Sequence, residues 1–356
     1  MKTRVLLVPA VAAMLLLAGC AATPSTASTP STAGSGADLI SLIMPDATTS
    51  TRWDSQDRPA FEAAIKEIDP NITVLASSAS DDAGQLRQAE AALAKGAKVI
   101  VMNPITADGA GALVAAAHRE GAKVIAYDGL ITGSPIDGYV SFGNKKVGEL
   151  QAQYLADKLP TGSTIAIING AQTCDSCIAF KVGAHSVIDP LVKSGALKVA
   201  YEIDTPGWLV ANAQQETEQA LTAANDKIDG FLVANDGMAQ GVIAALKSRG
   251  LEGKVLVTGQ DATIAGLQEM LLGNQSMTVY KDMRLEAASS AKLAVSLLRG
   301  EKPATTDTVD NGAGKVPSIL LDPKTVEKSG IAAIVSDGFV KRSELCVGTA
   351  ASACNF

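Results

Sequence analysis

From Asp38 onward the chain alternates short, wholly apolar runs with longer stretches in which apolar residues recur at helical spacing. Residues 39–44 precede an amphipathic stretch at 61–68, 72–76 precede 85–93, 99–102 precede 111–118, and 124–127 close the series. A strand that is apolar on both faces must be covered on both, and intervening helices do this. The pattern therefore predicts an α/β fold with a parallel sheet and right-handed crossovers. The alternation then restarts: strands at 164–168, 199–203, 230–233 and 255–258 are separated by helices near 180–192, 213–224 and 239–249. Two doubly wound lobes are expected. Ahead of them, 21–37 consist of Thr, Ser, Ala, Pro and Gly, too little apolar surface to fold, and read as a tether.

Open parallel sheets bind ligands beyond the carboxyl ends of their strands, so the residues directly after each strand carry the functional information. These are 46–57 with Arg52 and Trp53, then Asn103-Pro104, Asp128-Gly129, Asn235-Asp236 and Gln260-Asp261. None forms a G-x-G-x-x-G or G-x-x-x-x-G-K-[ST] loop, which argues against nucleotide chemistry. A net charge of -7 with both signs interspersed argues against nucleic acid. The only two histidines, His118 and His185, lie in Ala-rich helical stretches without metal-site spacing, so no metal, cofactor or His-based catalytic set is expected. What the loops do offer suits a neutral polyhydroxylated ligand. Carboxylates and amides accept hydroxyl hydrogens, Lys and Arg donate to oxygens, and indole faces cover the C–H faces of a sugar ring.

The N-terminus reads as an export signal over 1–20: Lys2 and Arg4, an apolar segment at 5–18, then Leu17-Ala18-Gly19-Cys20. The segment is too short to span a bilayer, and lipidation of Cys20 would anchor the mature protein outside the cytoplasm. Four further cysteines in an oxidising space favour disulfides, with three pairings open. The local pairing of Cys174 with Cys177 and Cys346 with Cys354 is preferred, since the second would tie down the tail at 346–356. Cys174-Asp175-Ser176-Cys177 is also the spacing of thiol oxidoreductases. That alternative wants the motif to open a helix, whereas the pattern places it behind a strand.

Several motifs recur in one order: Arg52-Trp53 with Asp57-Arg58; Val124-Ile125-Ala126-Tyr127-Asp128; Tyr139-Val140-Ser141-Phe142 with Asn144; and Lys146-Val147-Gly148-Glu149-Leu150-Gln151-Ala152. Gly207-Trp208-Leu209, Ala234-Asn235-Asp236-Gly237, Gly259-Gln260-Asp261-Ala262, Met277-Thr278-Val279-Tyr280-Lys281 and Val316-Pro317-Ser318 complete the set. On these residues the chain, over about 39–345, resembles the periplasmic sugar-binding proteins of ABC importers, and among them the D-xylose-binding group. The resemblance implies a type I periplasmic-binding-protein architecture. An N-terminal lobe (38–142 plus 284–318) and a C-terminal lobe (143–283 plus 319–345) would be joined by crossovers near 141–144, 279–283 and 317–321. It also implies a monomer that closes on a sugar and docks on a membrane permease.

Carried over by position, the resemblance puts Arg52, Trp53, Asp128, Asn144, Trp208, Asn235, Asp261 and Lys281 around the sugar, with the two indoles on opposite ring faces. Asp128 and Asn235 also stand where helix caps are expected. Three departures bear on the ligand: Gly129 replaces an Arg, Gly143 replaces an Asp, and the Cys174–Cys177 loop replaces Asp-Asn-Asn-Ala. Two strong polar partners are lost and two glycines make room, so a ligand other than plain D-xylose is expected. Other readings of the same fold are a module that presents bound sugar to a membrane receptor and a surface protein that has lost its ligand.

Overall fold

The computed structural model describes residues 38–356, so the export signal, Cys20 and the tether lie outside the described residues. The chain opens with β1 (Leu39–Pro45), a π-helical turn (Trp53–Asp57), α1 (Arg58–Ile68), β2 (Thr73–Ala79) and α2 (Asp82–Ala94). It continues through β3 (Val99–Met102), α3 (Gly111–Arg119), β4 (Lys123–Tyr127) and β5 (Gly138–Phe142). Next come α4 (Asn144–Lys158), β6 (Ser163–Asn169), α5 (Asp175–Ser194), β7 (Leu197–Asp204), a 3-10 turn (Pro206–Trp208) and α6 (Val210–Ala223). These are followed by β8 (Gly230–Val233), α7 (Asp236–Ser248), β9 (Leu256–Val257), α8 (Ile264–Leu272) and β10 (Met277–Tyr280). The chain finishes with α9 (Met283–Leu298), β11 (Asp307–Asp310), β12 (Lys315–Leu321), β13 (Lys324–Glu327), α10 (Ile331–Ser336) and α11 (Arg342–Leu345).

Two sheets result. A seven-stranded sheet runs β11-β12-β5-β4-β3-β1-β2, parallel except for the β11 to β12 pairing, and a four-stranded parallel sheet runs β7-β6-β8-β9. Side chains alternate across the larger sheet as strand geometry requires. Ile40, Leu42, Val99 and Val101 meet Phe61 and Ile65 of α1 and Ala287, Ala291 and Ala294 of α9, while Ile43, Ile100 and Val124 meet Leu113, Val114 and Ala117 of α3 on the other face. The smaller sheet is sandwiched likewise between α4 with α5 and α6 with α7. The α4 and α5 axes come close because Gly148 faces the Phe180 carbonyl and Gly183 the Lys145 carbonyl; a Cβ on either would lie far inside van der Waals contact.

The chain passes between the two sheet bodies three times: from β5 into α4, from β10 into α9, and from β12 into β13, which pairs antiparallel with β10. The last passage falls at Asp322 and Pro323, a few residues beyond 318, because β12 stays paired with β5 through Leu321 and Phe142. The structure brings Cys174 together with Cys177 and Cys346 with Cys354, at Cα separations of 5.3 and 5.8 Å. Cys174 is the N-cap of α5, its Sγ accepting from Cys177 N–H, so the C-x-x-C motif does open a helix. The sequence pattern missed this because apolar periodicity becomes visible only from Phe180.

Candidate functional site

The strand ends of both bodies face a cleft enclosing about 790 Å³ of space, its open mouth included. Arg52, Trp53, Asp128, Trp208, Asn235, Asp261 and Lys281 all line it. The mouth is drawn together by Ala107 N–H, which donates to the Thr173 carbonyl at 2.8 Å.

Its floor is an ion cluster. Arg52, 1% exposed, clasps Asp57 with two N–H groups at 2.7 and 2.8 Å. It also reaches Glu286 at 3.0 Å, Asp128 at 3.1 Å and Asp261 at 3.4 Å. Lys281, 2% exposed, lies 3.1 Å from Asp261 and 3.5 Å from Asp128. Two cations thus face four carboxylates in a water-poor setting, and protons redress the balance. Burial, with the charge of Asp128, pushes Glu286 well above the usual carboxylate range, and burial raises Asp57 against the pull of Arg52. Burial acts on Asp128 in the same sense, but Arg52 and Lys281 outweigh it and hold that carboxyl low. Tyr127 donates its hydroxyl to Asp57 at 2.5 Å. Each cation of the cluster is thus already matched by carboxylates within it.

The indoles frame the cleft. Trp53 donates Nε1–H to Thr49 Oγ1 at 2.9 Å, and the Arg52 guanidinium stands 4.4 Å from its ring centroid. Trp208 meets Phe180 edge to face at 6.4 Å and packs so closely on Gly170 that a Cβ there would strike its ring. Asp128, Trp208 and Asp261 all have left-handed backbones, φ 59°, 58° and 94°, conformations uncommon for such residues and concentrated at functional sites.

Asn235 both lines the cleft and caps α7, its Oδ1 accepting from Met238 N–H at 2.8 Å, so the two expectations for it coexist. Asp128 caps nothing; its carboxylate is held by the two cations. Asn144 is placed behind the wall. It opens α4, and its Nδ2 donates to Tyr139 Oη at 3.3 Å and Ser141 Oγ at 3.2 Å. Of the two glycines, Gly129 lines the cleft and Gly143 does not. A Cβ on Gly129 would sit 2.6 Å from Asn103 Oδ1, whose amide already fills that space, and Gly143 caps α4 facing Lys146, Leu321 and Pro323.

Asn103, Phe180 and Gln260 line the cleft without having been named as ligand residues. Gln260 is 3% exposed with Oε1 unpartnered, an acceptor in waiting. The strand-end rule had singled out Asn103 and Gln260; Phe180 reads from sequence as helix core. Among the described residues no group of three or more His, Cys, Asp and Glu side chains could hold a metal ion, and no helix is long and apolar enough to cross a membrane.

Comparison with known proteins agrees with this geometry. The model of the periplasmic binding protein domain matches residues 40–302. The D-xylose-binding periplasmic protein of Escherichia coli is 39% identical over 295 residues, covering 83% of this chain and 88% of that one. The multiple sugar-binding periplasmic receptor ChvE of Rhizobium radiobacter is 34% identical over 286 residues, covering 74% and 81%. Among solved structures, an ABC transporter solute-binding protein from Clostridium phytofermentans with bound β-D-glucose superposes with a TM-score of 0.80 at 30% identity, covering 86% of this chain and all of that one.

Proposed function

The chain belongs to the periplasmic binding protein family, and from that premise we propose that it captures a neutral monosaccharide outside the cytoplasm and hands it to an ABC permease. One observation carries the reading: the only two tryptophans, 155 positions apart (208 minus 53), border the same cleft as the buried Arg52, Asp128, Asp261 and Lys281 cluster. Trp53 and Trp208 cover the two faces of the ring. Asp128, Asn235, Asp261 and Gln260 take hydroxyl hydrogens, and Lys281 donates.

No chemical step is needed. Ligand favours the closed arrangement because Arg52, Trp53 and Asp128 come from the larger body and Trp208, Asn235 and Asp261 from the smaller, so the full contact set exists only when both are together. Cys174 and Cys177, and Cys346 and Cys354, form disulfides in this reading, and Cys20 carries the lipid anchor of a monomer. A thiol at a helix N-terminus can be reactive, but the relatives described above are binding proteins, and the thiol oxidoreductase alternative has no support from them.

The test is thermal unfolding of residues 36–356 against pentoses, hexoses and polyols. Ligand at about 100 times its dissociation constant adds ~2.7 kcal/mol, a clear rise in midpoint. A folded protein that responds to no sugar overturns the reading.

A further inference from the structure

Asp236 opens α7, directly after the cleft residue Asn235, yet does not reach the cleft. It is fully buried. Its Oδ2 accepts from Thr263 N–H at 2.8 Å and Thr263 Oγ1 at 3.2 Å, and its Oδ1 from Gln275 Nε2 at 2.7 Å and Thr278 Oγ1 at 2.9 Å. Thr278 Oγ1 in turn accepts from Ala262 N–H at 3.1 Å, and Asp236 N–H donates to the Gln260 carbonyl at 3.0 Å. Gly259 and Gly266 leave the carboxylate its space; a Cβ on either would collide with it. Two of the bonds on this carboxylate come from Thr263 in the segment 259–263, one from Thr278 of β10, and one from Gln275 just ahead of that strand. That segment contains Asp261 and Ala262, both with left-handed backbones, φ 94° and 51°. Two adjacent strained residues persist only where their surroundings over-determine them. What the turn delivers is the Asp261 carboxylate, aimed at Lys281 and Arg52.

We propose that Asp236 is a positioning residue for the sugar site, whose ionised carboxylate holds the Gln260 to Thr263 turn and so fixes Asp261 in the cleft. This rests on the sugar-binding reading above. Four donors converge on the two oxygens, so a proton on either forces a threonine hydroxyl to reverse or a donor to leave, since the N–H groups of Thr263 and Gln275 cannot reverse. Burial, then the charge of Asp261, raises the Asp236 carboxyl to about 7, against the hydrogen bonds from Gln275, Thr263 and Thr278. Asp261 is the charged group that acts on it; its other partners are neutral.

The consequences for affinity and stability have opposite signs. Because the folded value exceeds the ordinary 3.8, this carboxyl's contribution to fold stability is complete below that value and is lost as pH rises through about 7. Sugar affinity rises over the same interval as the carboxylate comes to accept from all four donors and holds the turn. A purely structural role would move both in the same direction.

The experiment measures affinity for D-xylose and D-glucose from pH 6 to 8, with unfolding midpoints alongside, for the wild type, Asp236→Asn and Thr278→Val. Expected are wild-type affinity that falls toward pH 6, an Asp236→Asn protein that binds at least tenfold more weakly at pH 7.5 without that slope, and an intermediate loss for Thr278→Val. Affinities within twofold of wild type with an unchanged pH profile overturn the proposal. Should Asp236→Asn fail to fold, Thr278→Val and the wild-type profile decide by the same criteria. If the wild type binds neither sugar, the sugar reading fails for these probes and the turn is followed directly. The amide resonances of Ala262 and Thr263 should then titrate near pH 7, and amides unmoved between pH 5.5 and 8 overturn the proposal.

Discussion

Trp208 is half-buried with its ring between Phe180, Gly170 and the cleft, so truncating it removes ligand contact more than core. Trp208→Ala is expected to weaken sugar binding at least about 30-fold, ~2 kcal/mol of lost aromatic contact, while the protein stays folded by circular dichroism. Glu286 makes a different test. Burial and the charge of Asp128 raise its carboxyl, so its contribution to stability is complete below the ordinary 4.5 and is lost as pH rises through its folded value. Glu286→Gln, a neutral isostere, should cost under about 1 kcal/mol and flatten the decline of stability with pH above 4.5 in urea titrations. A steep loss at every pH would mean the native group is ionised. The residues that could be read from sequence, Arg52, Trp53, Trp208 and Lys281, lie in the segments that follow strand ends, outside the long amphipathic helices. Asp57, Tyr127 and Glu286 could not be read that way, because their role is fixed by Arg52, from which Glu286 stands 234 positions away.

At the level of elements, helix packing depends on two small residues. With a Cβ on Gly148 the Phe180 carbonyl has to retreat, and backbone in a packed helix pair cannot do so cheaply. Gly148→Ala is expected to lower stability by about 1 to 3 kcal/mol, visible as a lower urea midpoint at unchanged m-value. The strands were legible because β1, β3, β4, β6 and β8 are covered on both sides and so nearly all apolar. The antiparallel β11 and β13 were not, since Asp307–Asp310 and Lys324–Glu327 are mostly exposed and carry charges at their ends. The start of α5 escaped for a related reason. Its first turn, Asp175-Ser176-Cys177, opens on polar residues and is capped by the Cys174 sulfur, which apolar periodicity does not register.

At the scale of the whole molecule, three passages of chain join two bodies whose contact across the cleft includes the Arg52 to Asp261 ion pair and the Ala107 to Thr173 bond. A ligand that bridges the same two sides should shift the population toward this arrangement. Small-angle scattering is expected to show a smaller radius of gyration with saturating sugar than without it, and identical curves would count against closure as the binding step. The doubling of the α/β pattern was plain in the sequence, but which segments return to which body was not, because α9 and β12 are ordinary elements whose partners α1 and β5 lie far upstream.

That return has a consequence for how the chain comes to be made. The larger sheet is incomplete until residues 283–321 exist, since α9 supplies Ala287, Ala291 and Ala294 to its core and β12 pairs along β5. A growing polypeptide therefore cannot finish its first body before it has produced most of its second. Until that stretch is made, the first body carries an open strand edge along β5 and an uncovered apolar face where α9 will lie.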